Sequence, residues 1–160
     1  MFLVENESII HASPPQVWTA ITRFDEYPRW HPFVRIAGLL TPDANVDYSF
    51  RMKLGNAKFR TVDARIVTLD AQKRLVLRFG FGWLLTFEEA YSLSPLPIGS
   101  RLVHGFRCAG LLSTLPLSNL KHNFAKLLET TDRVLVRHLT FRKPSTTSKR
   151  RIRKGFRPGT

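Results

Sequence analysis

At 160 residues the chain is long enough for one domain with a real core and too short for two. Hydrophobic content of 43% excludes disorder of the whole, and the absence of any run of 18 apolar residues excludes a membrane-spanning helix. The formal net charge of +13 suggests a nucleic-acid binder until it is located: eight basic residues and no acid fall between Arg142 and Thr160, leaving +5 on residues 1–141.

The single cysteine, Cys108, precludes an internal disulfide and fits a reducing, cytoplasmic setting. Met1-Phe2-Leu3-Val4-Glu5 has neither the basic start nor the apolar run of a signal peptide. Residues 2–12 read as a strand, with Val4, Ile9 and Ile10 as its apolar members. Ser13 is a good N-cap, and Pro14 or Pro15 suits a first helical turn. Val17, Trp18 and Ile21 then give a helical stripe to about Thr22. A second short helix is expected over Asp25–Trp30, made irregular by Pro28 and stopped by Pro32.

Strands follow. Val34–Leu40 is closed by the loop signal Thr41-Pro42-Asp43-Ala44-Asn45. Val46–Leu54 places Tyr48, Phe50 and Met52 on one face, and Gly55-Asn56 is a turn signal. Phe59–Leu69 is a longer strand. In the next, Leu75, Leu77 and Phe79 alternate with Val76 and Arg78 before Gly80-Phe81-Gly82 breaks it. Leu85–Ser94 groups Phe87, Glu89, Tyr91 and Leu93. After a Pro95–Gly99 turn, Arg101–Ala109 groups Leu102, His104, Phe106 and Cys108. Alternation with short connections indicates antiparallel hairpins.

The last element is a long helix over Pro116–His138. Leu117, Leu120, Phe124, Leu127, Leu128, Thr131, Val134 and Leu135 form its apolar stripe. Lys121, Lys126, Glu129, Asp132, Arg133 and Arg137 read as its other faces. Such a stripe needs a large partner surface, and the strands supply the only candidate. The expected fold is α+β: a curved antiparallel sheet of about seven strands wrapped around a long C-terminal helix, with two short helices after strand 1.

Two stretches carry a family resemblance. Ser13-Pro14-Pro15-Gln16-Val17-Trp18 and Phe24-Asp25-Glu26-Tyr27-Pro28-Arg29-Trp30-His31-Pro32-Phe33 are similar to an A-x-P-x-x-V-W … F-x-x-Y-P-x-W-N-P-F pattern. Gly99-Ser100-Arg101-Leu102-Val103-His104-Gly105 resembles a G-x-R-L-T-H strand. Both patterns belong to the START-related helix-grip superfamily (SRPBCC), in its polyketide cyclase/dehydrase-like branch. The resemblance covers residues 1 to about 140 and implies a helix-grip fold around a hydrophobic ligand cavity. The chain departs from the pattern at His31, where the branch has Asn, and at Glu89, where it often has His. Ligand class is therefore not carried over. The domain is expected to span 1–141, with 142–160 as a basic, disordered tail.

The expected function is binding of a small, largely apolar, lipid- or polyketide-like ligand between sheet and helix. Tyr48, Phe50, Met52, Leu77, Phe79, Phe87, Tyr91, Leu102, Phe106, Phe124 and Leu128 would line the space. Trp30 and Phe33, in the Trp30-His31-Pro32-Phe33 turn, either pack under the short helices or cover the mouth of the cavity, and the two roles are compatible. Glu89 and His104 stand out as polar members of apolar faces. They would act as a base and acid pair in a cyclase- or dehydrase-type enzyme, orient a ligand, or each be satisfied structurally by a neighbouring Tyr or water. A bulge between Glu88 and Glu89 would reverse which carboxylate points inward.

His11, His31, His104, His122 and His138 form no metal-binding spacing, and no phosphate loop or nucleophile elbow occurs, so neither metal nor cofactor is expected. The tail would make at most weak electrostatic contact with anionic lipid or nucleic acid, and in the first case could dock a lipid carrier. Phe156 is the single aromatic residue in the tail's last basic cluster, which gives base stacking little to work with.

Overall fold

The structure is a computed structural model and describes residues 1–55 and 57–141. The expected basic tail and the Asn56 half of the Gly55-Asn56 turn lie outside the described residues. Seven strands run in the order β1 (Phe2–Ile10), β2 (Val34–Ala37), β3 (Asn45–Phe50), β4 (Arg60–Asp70), β5 (Arg74–Gly80), β6 (Thr86–Leu96) and β7 (Gly99–Ala109). Three α-helices accompany them: α1 (Pro14–Thr22), α2 (Tyr27–Trp30) and α3 (Ser118–Phe141). The strands form one antiparallel sheet in the spatial order β1-β7-β6-β5-β4-β3-β2, so β1 returns to pair with the last strand. This is the α+β helix-grip architecture, with α3 laid against β1 and β7 and reaching α1 and α2.

The hairpins explain most of the sheet. Adjacent long strands with tight turns pair at low loop-closure cost, and parity then sends one face of each inward. Phe87, Glu89 and Tyr91 of β6 lie opposite Cys108, Phe106 and His104 of β7, with no register shift between Glu88 and Glu89. Glu89 therefore points inward. A bulge does occur in the neighbouring β4, between Ile66 and Thr68. In β1, Phe2, Val4 and Ile10 are buried whereas Ile9 is half exposed, so Ile9 belongs to the outer face.

Several element ends differ from the sequence-based expectation for local reasons. β2 stops at Ala37 because Gly38 has φ +142° and lies so close to Val46 that a Cβ would meet its Cγ1 at 2.8 Å. β3 stops at Phe50, where the Arg51 N–H turns to the Phe33 carbonyl and its Nε donates to the Pro32 carbonyl. Met52 consequently lies beyond the strand. The second short helix is split: a 3-10 turn at Phe24–Glu26 precedes α2, in keeping with the N–H that Pro28 lacks. α3 begins two residues after Pro116, and the Leu117 carbonyl accepts from the Lys121 N–H to start it. It continues three residues past His138.

Two groups of buried side chains make the core. The larger, around Val17, Ile21, Tyr27, Ile66, Leu75, Leu77, Tyr91, Leu102 and Leu135, lies between the sheet, the short helices and the C-terminal half of α3. The smaller, around Phe2, Val4, Phe106, Cys108, Phe124 and Leu128, lies under the first half of α3.

Candidate functional site

Where the two groups meet, the side chains leave a cavity of about 180 Å3 between sheet and α3. Of the residues expected around it, Phe33, Tyr48, Phe50, Met52, Phe79, Phe87, Glu89, His104, Phe106, Phe124 and Leu128 line it. Trp30, Leu77, Tyr91 and Leu102 do not; they are packed in the larger core group. His31, Val34, Arg51, Leu120, Leu127 and Thr131 complete the wall. The aromatic rings interlock: Tyr48 stacks on Phe79 at 4.5 Å between centroids, and Phe106 stacks on Phe124 at 4.3 Å. A larger hollow of about 420 Å3 lies on the outer face of the sheet, among side chains such as Leu3, Arg74, Glu88 and Arg107. It shares no lining residue with the cavity.

One wall of the cavity is polar, and its groups are bonded to one another. Glu89 Oε2 accepts from the Tyr48 hydroxyl at 2.7 Å, and Oε1 accepts from the Tyr91 hydroxyl at 3.0 Å. His104 Nε2 is 3.0 Å from the same Oε1, while its Nδ1 is 2.7 Å from Asp132 Oδ1. Asn6 Nδ2 donates to Asp132 Oδ2 at 2.6 Å. The Tyr91 ring stacks flat on the imidazole, 4.1 Å between centroids. Glu89, His104, Asp132 and both tyrosines are buried while Asn6 is half-buried, and a buried charge survives only with such partners.

The electrostatics follow from the packing. Burial alone would pull His104 down, but Asp132, by charge and hydrogen bond, and then Glu89 push it up to about 9. Burial likewise opposes ionisation of Glu89. The hydrogen bond and charge of His104, with smaller help from His31 and Tyr48, outweigh it and hold the carboxyl below its usual range. His104 is thus an imidazolium donating from both nitrogens to carboxylates. It has no lone pair to offer a metal. Burial and the Glu89 charge raise the hydroxyls of Tyr48 and Tyr91 well above their ordinary value.

His31 is the opposite case. Its Nδ1 accepts from the backbone N–H groups of Phe33 (3.2 Å) and Val34 (3.1 Å), which fixes the proton on Nε2. Burial, aided by the charges of His104 and Arg35 against that of Glu89, pulls it down to about 3. Among the described residues its Nε2 has no hydrogen-bond partner.

Asp132 and Asn6 were not among the candidates. Asp132 read as part of the outer face of α3, yet it is buried beside Leu128, Thr131 and Leu135. Its spacing from Leu128 and Leu135 already placed it within the stripe. Asn6 has the parity of Val4 and lies opposite His104 across the β1–β7 ladder.

Among the described residues no helix is long and apolar enough to cross a membrane. No curated protein sequence matches the chain. Solved structures do. A START superfamily protein from Mycobacterium smegmatis is 14% identical with a TM-score of 0.70, covering 86% of this chain and 97% of that one. A Rhodobacter sphaeroides protein is 16% identical with a TM-score of 0.69, covering 88% and 93%. The di-domain aromatase/cyclase of the steffimycin biosynthetic pathway is 15% identical with a TM-score of 0.63. There the match covers 86% of this chain and 48% of that protein. At such identities these likenesses show the fold. A family model described as polyketide cyclase/dehydrase and lipid transport matches residues 1–139. The chain therefore belongs to the polyketide cyclase/dehydrase and lipid transport family, and that membership implies a hydrophobic ligand.

Proposed function

We propose that the protein binds a small, largely apolar, lipid- or polyketide-like molecule in the cavity under α3 and does not transform it. The observation that carries this is the closed polar wall. A general base must have a free lone pair and an affinity for protons suited to the working pH. Glu89 accepts from three donors and is held below the usual carboxylate range, which leaves it a weak base with little capacity to spare. His104 is saturated on both nitrogens. The rest of the lining is chiefly aromatic and aliphatic, which favours apolar contact with few fixed polar ones. A volume of about 180 Å3 lies below the roughly 300–1,000 Å3 common for drug-sized ligands, so the occupant is compact.

Mass spectrometry of small molecules extracted from the natively purified protein tests this directly. The expected result is one apolar compound at near-stoichiometric amount, unchanged in mass after long incubation with fresh protein. Conversion of that compound to a new mass by loss of water, or to an isomer of equal mass and altered chromatographic retention by ring closure, would replace binding with the cyclase- or dehydrase-type reading.

A further inference from the structure

A second feature lies at one end of the sheet. The loop between β5 and β6 and the 3-10 turn Leu111–Thr114 after β7 both present large apolar side chains to solvent. Phe81 is 72% exposed and Trp83 74%; Leu84, Leu111, Leu112 and Leu115 are exposed with them. Isolated exposed apolar residues are ordinary, but a contiguous group of this size is not.

The two loops form one surface. Leu111 N–H donates to the Trp83 carbonyl at 3.2 Å, and Leu112 N–H donates to the Leu84 carbonyl at 2.9 Å. Gly110, with φ +106°, lets the chains meet: a Cβ there would lie 2.7 Å from the Leu84 carbonyl oxygen. The hydroxyls at this end are turned inward onto the loops themselves. Thr86 donates to the Gly82 carbonyl, Ser113 to that of Gly110, and Thr114 to that of Leu111. A protein interface of ordinary kind carries a hydrogen bond every 100–200 Å2 or so, and this tip has few polar side-chain groups to offer one.

Its charge has one sign. No charged residue occurs from Phe79 to Phe87, and from Cys108 to Leu128 the only charged residues are Lys121 and Lys126, both exposed on the first turns of α3. Aromatic and leucine side chains without directional partners, beside lysines and no acid, match the boundary between acyl chains and anionic headgroups. Trp and Phe rings favour that depth, and lysines are attracted to the negative surface potential.

We propose that this apolar tip docks the protein on an anionic phospholipid bilayer, with Phe81 and Trp83 inserted and Lys121 and Lys126 facing the headgroups. This goes beyond the binding reading and does not depend on what the cavity holds. The placement is nevertheless suggestive, because Phe79 and Phe87 flank one loop, Phe106 and Leu120 flank the other, and all four line the cavity.

The test uses the full chain and vesicles of phosphatidylcholine with and without phosphatidylserine, carrying brominated acyl chains. Trp83 fluorescence should shift to the blue and be quenched on the anionic vesicles. Quenching should disappear in Trp83→Phe while partitioning persists. The double variant Phe81→Ser, Leu112→Ser should lower partitioning by at least about tenfold. Because both positions are exposed, its melting temperature should match wild type, which separates loss of docking from loss of fold. Lys121→Gln with Lys126→Gln should weaken binding to the anionic vesicles selectively. Unquenched Trp83, or a double variant that partitions as well as wild type, would overturn the proposal. A dimer in gel filtration that the double variant dissociates would overturn it in favour of a second copy on the same surface.

Discussion

At the scale of single residues, Glu89 is a buried carboxyl group held by three donors. A buried carboxylate with two tyrosine donors and an imidazolium is fully solvated by the protein, and removing its charge leaves the donors facing a poorer acceptor. Glu89→Gln should therefore cost on the order of 3 kcal/mol of stability, the amount typical for breaking one side of a buried ion pair. Tyr48→Phe removes one charge-assisted hydrogen bond and should cost about 1.5–3 kcal/mol. Urea denaturation of the two variants checks both figures. A Glu89→Gln midpoint equal to wild type would mean that the carboxylate is not charged and bonded in the folded state. This residue was legible: unbroken alternation from Phe87 to Leu93 predicted its direction, and the ladder follows it. Asp132 was not, because an acid at a helix position is read as solvated by its chemistry. The imidazolium opposite and the Asn6 amide make its burial tolerable, and those partners are 28 and 126 residues away in sequence.

At the scale of elements, α3 closes the cavity through Phe124. Its ring lies against Phe106, Phe87 and Phe2 at centroid distances of 4.3, 5.8 and 6.1 Å. Phe124→Ala should cost about 3 kcal/mol, the low end for a buried phenylalanine, because part of the ring already faces open space. Calorimetry would register it as a lowered melting temperature, and no change would show that the helix does not seal the core. Hairpin order and the stripe on α3 could be read because period 2 and period 3.6 leave distinct apolar patterns. Separating cavity lining from core could not. Leu77, Phe79, Tyr91 and Phe87 share an inward face, but only Phe79 and Phe87 lie at the end where α3 stands off the sheet. Parity fixes the face of a side chain and says nothing about how far the opposite layer stands from it. His31 lies in a turn after α2, where neither period applies, so its place in the wall carried no pattern at all.

At the scale of the whole molecule, two buried histidines pull the pH dependence of stability in opposite directions. Residues 142–160 stand outside the matched family model, so a chain ending at Lys143 should melt as the full chain does. The pH behaviour should survive that truncation. His104 has its folded pKa raised to about 9 from an ordinary value near 6.5. Its contribution is fully present below about 6.5 and is lost as pH rises through 9, because the unfolded chain has released the proton first. His31 has its folded pKa lowered to about 3. Its contribution is present above about 6.5 and is lost as pH falls toward 3, because only the unfolded chain takes up the proton. Each limb has a slope of up to about 1.4 kcal/mol per pH unit. Glu89, held below the usual carboxylate range, steepens the acid side. Unfolding free energy should therefore peak near pH 6.5 and fall on both sides. His31→Asn, whose side-chain oxygen can still accept from the Phe33 and Val34 N–H groups, should flatten the acid limb and leave the alkaline one. Denaturation midpoints across that range decide the matter: stability that climbs steadily from pH 6.5 to 9 would show that His104 is not held as an imidazolium between its two carboxylates.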